Sequence, residues 1–530
     1  MIFEIAIVFI VIIAAVDLWV GVSNDAVNFM NSAIGSRISS LRTILFLAAA
    51  GVLVGAMFSG GMMEIARKGI FDPQAFMSDS ADRAEFVKLI LYIYLGVMTA
   101  DIIMLDLYNT FGLPTSTTVS IVSEMVGAAF AVAFWMNNMD PNSSWALMNH
   151  SKILQIYLGI FLSVIIAFTG GAIIMGVFRL LFSQDLSKTF GKVGWLWTGL
   201  SFSSMSYFLI FKGMKNVSFI PDSINAFIHD QVWILMAAVF VVAAVLARAF
   251  ARHYATIFKV IILAGTAALA MAFAGNDLVN FIGPGVAAAQ FVFKENINLG
   301  GEVPTPTWAL MISGLIMVIA LTVSRKSRSV CDTEVRLASQ GEMQQRFSSS
   351  GLSRFLVNVF QGLFKILRFF TPRSLRMAAE QRTNPAKSLA DDAPPYDMLR
   401  ASVNLVVASI IISFGTAQKL PLSTTYITFS VAMGASLADR TWTASTAESR
   451  VTGMLTVFGG WLVTGFLAMT IAFLNASILY FLGLKWGMIV LALLVALVVV
   501  GLHMFYNRNL GAKETVFNIY KNLKTNHAGK

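Results

Sequence analysis

Ser23-Asn24-Asp25-Ala26-Val27-Asn28 and Gly275-Asn276-Asp277-Leu278-Val279-Asn280 are two copies of one polar phrase, each set in a long apolar stretch. The aspartates carry full negative charge, and the paired asparagines fall four residues apart, on one helical face. An Asn amide donates to an anion through nitrogen and coordinates a cation through oxygen. A turn unwound at Gly21, Ser23 or Gly275 would free backbone carbonyls beside the carboxylate. Such a set of oxygens suits sodium; the same carboxylate can instead titrate and carry a proton. Asp25, Asp277, Asn24 and Asn276 are therefore the candidate cation-binding residues, with Asn28 and Asn280 placed to reach an anion. For a single copy, helix capping would serve as well as a binding role, since Asn and Asp cap readily. Matched repetition favours binding.

A second phrase recurs in the same order. Leu113-Pro114-Thr115-Ser116-Thr117-Thr118 returns as Leu420-Pro421-Leu422-Ser423-Thr424-Thr425. Pro suits the first turn of a helix, and Ser and Thr cap open N–H groups. A helix starting here exposes several N–H groups and the positive end of its dipole, a ready place for a phosphate-like oxyanion. Ser116, Thr117, Thr118, Ser423, Thr424 and Thr425 are the candidate anion ligands, together with Asn28 and Asn280. The alternative is that the hydroxyls only cap and pack close interhelical contacts. Within the phrases the chain offers no Lys or Arg apart from Lys419, just before Pro421. An anion held beside two carboxylates then needs accompanying cations, which points to cation-coupled uptake driven by the membrane potential.

The two halves also agree in spacing. Asp25 and Pro114 are 89 residues apart and Asp277 and Pro421 are 144, an excess of 55 that a polar insert accounts for. Matched order and separation are evidence of duplication. Polar residues at bilayer depth in duplicated halves are what an inverted-repeat transporter uses to form one central site.

The elements that must position these residues are membrane helices. The chain has 530 residues, 57% hydrophobic and 12% charged, about half the charge of a soluble chain. Stretches long enough to span a bilayer lie near 2–20, 43–63, 86–105, 153–182, 192–212, 231–250, 257–274, 307–324, 400–417, 451–480 and 485–505. Residues 113–134 and 420–438 begin at the Pro phrases and read as second arms of re-entrant hairpins, or else as short Pro-capped spans. The expected fold is all-α, polytopic, with roughly 10–12 membrane segments and two re-entrant hairpins. The 451–480 stretch is one long helix or two. The N-terminal stretch reads as a retained first helix.

Residues 1–215 form the first repeat and 216–324 open the second; 400–530 hold the second hairpin and the terminal helices. Between them, 325–399 is a basic insert. Thirteen basic residues stand against seven acidic ones over 325–400, so this side is expected to be cytoplasmic. A basic amphipathic stretch from Phe355 to Phe370 could lie on the inner leaflet, and a plain linker is the alternative.

As a set the phrases resemble the inorganic phosphate transporter family abbreviated PiT, which includes bacterial low-affinity phosphate carriers and animal sodium–phosphate symporters. Gly21 to Asn28 and Gly275 to Asn280 are similar to its Gly-x-Asn-Asp-x-x-Asn signature, and Leu113–Thr118 and Leu420–Thr425 to its hairpin motif. The resemblance implies a fold that is often dimeric and moves phosphate with sodium or protons. It implies that Asp25 and Asp277 belong to the cation sites and that Asn24, Asn28, Asn276 and Asn280 shape the centre. Ser116, Thr117, Thr118, Ser423, Thr424 and Thr425 would donate to phosphate and ligate sodium. The chain departs from the family in three places. Ser23 lengthens the first signature by a residue; Val119 and Tyr426 stand where many members carry His; and Glu124 has no counterpart in the second hairpin. Glu124 is a candidate proton site or a hydrogen-bonded structural carboxyl. Asp101 and Asp106 line the path or mark the wet end of a span, and Asn404 is a further polar residue in apolar context.

Other classes fit less well. The net charge of +10 lies in loops and follows the positive-inside bias, so no nucleic-acid partner is expected. A membrane enzyme needs a metal cluster or a nucleophile–base pair. His150, His229, His253, His503 and His527 are scattered away from the phrases, and Cys331, the sole cysteine, has no such partners in sequence. The reading is a multi-pass inner-membrane carrier of phosphate with sodium or protons, without cofactor. A carrier of sulfate or another oxyanion, or an anion channel, are its rivals.

Overall fold

The computed structural model describes residues 1–78, 82–182, 185–207, 230–294, 305–324, 326–338, 394–439 and 444–509, with a few isolated positions between them. Its elements are helices; the pairing of Phe71 with Met148 is an isolated bridge. In chain order the principal helices of the first half are α1 Ile2–Asp25, α2 Val27–Gly35, α3 Leu41–Phe58, α4 Arg83–Phe111, α5 Thr117–Met136, α6 His150–Leu181 and α7 Leu186–Ser206. Then follow α8 Val232–Ala249, α9 Tyr254–Phe293, α10 Thr307–Val323, α11 Lys326–Ala338, α12 Met398–Ala417, α13 Thr424–Ala438 and α14 Ala444–Asn509.

Among the described residues nine helices are long and apolar enough to cross a membrane. One of them runs through α14, whose backbone turns non-helical at Gly483, so the 451–480 stretch is a single helix followed by another. The outer faces are apolar: Phe161, Leu462, Phe466 and Leu493 are all well over half exposed. A surface of that kind belongs in lipid. The protein is a multi-pass membrane protein.

The halves are built alike. In the first, α4 ends at Gly112, whose φ of 63° is left-handed, and the chain runs through Pro114 before α5 begins. In the second, α12 ends near Lys419, which takes φ 54° at the matching place, and α13 begins after Pro421. Each pair, α4 with α5 and α12 with α13, packs together as a helical hairpin with its break at the centre. Each hairpin's second arm lies against a long helix from elsewhere: α5 on α14, and α13 on α6. Both contacts depend on glycine. A Cβ on Gly127 would sit 2.1 Å from the Met469 carbonyl oxygen, and one on its counterpart Gly434 would sit 2.0 Å from that of Phe168.

The signature segments differ from expectation. No unwound turn occurs at Gly21, Ser23 or Gly275, which all lie inside helices. The first copy passes from α1 into α2 with Ala26 still in helical conformation, and the second lies within the continuous helix α9. Fully buried, with side chains supplying the hydrogen bonds around them, these residues gain nothing from opening the backbone. Pro284 inside α9 cannot donate to the carbonyl of Asn280, so one carbonyl loses its helical partner without an unwound turn.

The insert is not all linker. Its first segment, α11, carries five charged residues yet packs Val330, Cys331, Val335 and Ala338 into the main core. Most of the Phe355–Phe370 stretch lies outside the described residues.

Candidate functional site

The two hairpin breaks and the two signatures meet in one buried site. Asp25 accepts hydrogen bonds from the Thr117 hydroxyl at 3.1 Å and from the Thr425 hydroxyl at 3.1 Å. Asp277 accepts from Thr424 at 2.5 Å and from Thr118 at 3.3 Å. Each aspartate thus draws one hydroxyl from each hairpin. The asparagines complete the crossing. Asn28 donates to Thr424 and Thr425 at 3.1 and 3.0 Å, and Asn280 donates to Thr117 and Thr118, both at 3.2 Å. Each of the four threonine hydroxyls therefore stands between an aspartate and the asparagine of the opposite half, and that of Thr118 also reaches the Leu422 carbonyl at 3.2 Å. All eight side chains are at most 2% exposed.

Asn24 and Asn276 fasten the signatures to the hairpin breaks. Asn24 donates to Asn109 at 3.0 Å and to the Leu113 carbonyl at 3.2 Å, and accepts from the Thr115 amide at 3.0 Å. Asn276 donates to the Leu422 carbonyl at 2.7 Å and accepts from Thr416 at 3.3 Å. Asn109 and Thr416 occupy matching places before the two Pro phrases. They are part of the site, and aligning the repeats beyond the phrases is the signal that finds them. Thr428, which donates to Asn28 at 3.2 Å, has no such signal.

Ser116 and Ser423 stand apart from the threonines. Each is the N-cap of its helix, accepting from the Val119 amide at 3.1 Å and the Tyr426 amide at 3.2 Å respectively. The caps satisfy one N–H per helix; those of the first two residues, Thr117–Thr118 and Thr424–Thr425, have no acceptor within their helices. Two positive helix ends and four hydroxyls thus lie around two carboxylates. The arrangement can hold an oxyanion and hard cations side by side, and lacks the nucleophile–base pair an enzyme would need. No His, Cys, Asp and Glu group able to hold a metal is found among the described residues.

Comparison with known proteins places the chain in a family. The model of the phosphate transporter family matches residues 21–326, more than half of the chain, from the first signature through the second. The chain belongs to the phosphate transporter family. It is a transporter, not an enzyme. A protein of Pyrococcus furiosus provisionally named a phosphate permease is 26% identical over 314 residues, 57% of this chain and 70% of that one. A Bacillus subtilis protein, provisionally a low-affinity inorganic phosphate transporter, is 27% identical over 183 residues, 34% of this chain and 49% of its own. A solved structure described as a sodium-dependent phosphate transporter superposes with a TM-score of 0.63 at 15% identity, covering 90% of this chain and 99% of that one. At that identity the likeness establishes the fold.

Around the centre, α11 packs against α1, α2 and α4. Glu334 is bonded by Asn31 of α2, the Thr333 hydroxyl donates to the Gly112 carbonyl at 2.7 Å, and Lys326 donates to Asp106 at 2.6 Å. Asp106 thus belongs to an ion pair with the insert and not to the central site. Asn404 bonds Ser32 at 3.3 Å, tying α12 to α2. On the second half, Arg179 at the end of α6 pairs with Asp397 and with Asp439, at 2.6 Å, which flank α12 and α13. Burial alone would raise the Asp397 carboxyl; Arg179 and Arg400 hold it below its ordinary value. This network, invisible in the sequence because its members come from three separated segments, anchors the outer ends of the second hairpin.

Proposed function

We propose that the transporter carries inorganic phosphate together with cations, sodium or protons, through this one central site by alternating access. Asp25 and Asp277, with Asn24 and Asn276, belong to the cation side. Thr117, Thr118, Thr424 and Thr425, the N–H groups that open α5 and α13, and Asn28 and Asn280 form the phosphate side, with Ser116 and Ser423 setting the helix starts. The observation that carries the reading is the crossed set of hydrogen bonds, in which each aspartate takes one hydroxyl from each hairpin. When phosphate enters, the threonine hydroxyls can turn from the carboxylates to its oxygens, leaving the carboxylates to cations. Phosphate beside two carboxylates is repelled unless cations accompany it. The relative described as sodium-dependent supports sodium as one such cation. In this reading the hairpins are re-entrant, their breaks lying near the bilayer midplane, and the inner membrane is where the carrier works.

The test is uptake of radiolabelled phosphate into proteoliposomes, with inward sodium and proton gradients imposed separately and sulfate as competitor. Saturable uptake driven by either gradient is expected. Conductance independent of both gradients, or stronger inhibition by sulfate than by unlabelled phosphate, would overturn the reading.

A further inference from the structure

Beside the central site, and outside it, three acids converge: Asp17 on α1, Asp101 on α4 and Glu124 on α5. All three are fully buried. The carboxyls of Asp17 and of Glu124 each stand within hydrogen-bonding reach of Asp101. Ser120 donates to one Glu124 oxygen at 2.6 Å. Both oxygens of Asp17 and the second of Glu124 receive no hydrogen bond from the protein, and Asp101 has within reach only the Ser120 hydroxyl, which donates to Glu124. No Lys, Arg or His pairs with any of the three among the described residues. Facing carboxyls without a donor lack one component, a proton between them. Unneutralised, three such charges at bilayer depth would be prohibitive.

The fold does not require acids there. At the matching positions the second half carries Leu269, Ala408 and Val431, all buried in the same surroundings of packed helices. The halves share an architecture, and only one holds this cluster. A shared proton needs only pairwise contact.

We propose that Asp17, Asp101 and Glu124 form a proton-binding site of this transporter, separate from the phosphate site and coupled to it through Asp25. A proton from water on one side forms an O–H bond to one carboxylate and is shared with its neighbour; it is released to water on the other side, and no electrons move. The titratable groups facing the cluster from neighbouring elements are Asp25, linked electrostatically to Asp101, and Tyr157 of α6, linked to Glu124. The Tyr157 hydroxyl is already paired with Ser123 at 2.6 Å. Neutralising the cluster removes negative charge near Asp25 and so favours phosphate at the centre; losing the proton expels it. Proton and phosphate therefore bind cooperatively, as symport demands. This inference rests on the cation-coupled reading above and names where the proton is carried.

The experiment reconstitutes full-length wild type, Glu124→Gln, Asp101→Asn and Asp17→Asn, and measures labelled phosphate uptake under a proton gradient, uptake under a sodium gradient, and phosphate–phosphate exchange without either. Wild type is expected to respond to the proton gradient. Glu124→Gln and Asp101→Asn should lose about tenfold or more of proton-driven uptake and flatten its pH profile, the scale of coupling between two sites. Exchange should persist. Unchanged proton-driven uptake and pH profile in the variants would make the acids structural and overturn the proposal. Loss confined to the sodium-driven arm would assign the cluster to sodium and overturn it too. A wild type driven by sodium alone defeats this inference but not the function proposed above, whereas a wild type without gradient-driven phosphate uptake defeats that function itself. Should a single variant fail to fold, the triple replacement Asp17→Leu, Asp101→Ala, Glu124→Val, taken from the second half, is tested in its place. It should fold and show the same loss; failure of that protein to fold would also make the acids structural.

Discussion

Asp25 and Thr425 are 400 residues apart in the chain and share a 3.1 Å hydrogen bond. The mirror contact joins Asp277 to Thr118 at 3.3 Å. Neither half can complete its own carboxylate, so the site exists only where both halves meet. That dependence makes the site sensitive to single changes on either side.

Asp25→Asn and Asp277→Asn should each abolish gradient-driven phosphate uptake while the protein still reaches the membrane. The amide keeps the shape of the side chain but removes the charge a cation needs. Without the carboxylate a bound cation has no counter-charge at this depth, so cation binding should weaken by about tenfold or more. Uptake by the two variants in proteoliposomes, normalised to protein recovered in the membrane, is the measurement. Normal uptake in both would remove the carboxylates from the mechanism.

Thr425→Val and Thr118→Val remove a hydroxyl while keeping the branched shape. Each should weaken phosphate binding about tenfold, the effect of about 1.4 kcal/mol, and Thr425→Ser should stay near wild type. Because Thr425 and Asp25 act on one another, Asp25→Asn combined with Thr425→Val should cost less than the sum of the two. Titration of phosphate against the four proteins of this cycle reads the coupling directly. Strict additivity would mean that the contact has no part in binding.

The duplication was readable in the sequence because both signatures and both Pro phrases recur in order, and so were the helical class and the eight central side chains. The crossing was not. That Asn28 bonds Thr424 rather than Thr117 depends on how two halves pack, which local patterns do not record. The unwound turn inferred at Gly275 failed because buried Asn276 and Asp277 found side-chain and carbonyl partners while their backbone stayed helical. Ser116 and Ser423 looked equivalent to the threonines beside them, yet the serine of each run is used as a cap. Asp17 is a carboxylate inside an apolar span and so carried a signal the sequence reading passed over, but nothing in its own segment shows that Asp101 and Glu124 lie opposite.

Gly127 and Gly434 test the architecture independently of the chemistry. A Cβ at either meets a backbone carbonyl at 2.1 or 2.0 Å, and backbone cannot swing aside as a flexible side chain can. Gly127→Val and Gly434→Val should each destabilise the protein by about 1–3 kcal/mol, and more where the helices must separate. A fall in the thermal midpoint in detergent would show it. Equal falls are expected, since the two glycines occupy the same place in the two halves. A stable Gly434→Val protein would show that α13 and α6 are not in close contact.

Docking of α11 should depend on pH, and Cys331 provides the probe. Glu334 is buried against Asn31, with Cys331 and Tyr396 also nearby, and burial pushes its carboxyl up from 4.5 to about 8. A carboxyl raised in this way holds its proton when docked and gives it up when freed. Docking is therefore strongest below the ordinary glutamate range and weakens as pH rises through that range towards 8. Cys331 is the sole cysteine of the chain and is fully buried on the same helix, so a maleimide reaches it when α11 lifts. Thiolate formation alone raises labelling about tenfold per pH unit in any variant. Between about pH 6 and 7.5 the wild type should rise more steeply than that, and Glu334→Gln, which keeps the buried neutral form, should not. Identical slopes in the two proteins would show that the Glu334 proton does not hold α11 against the core.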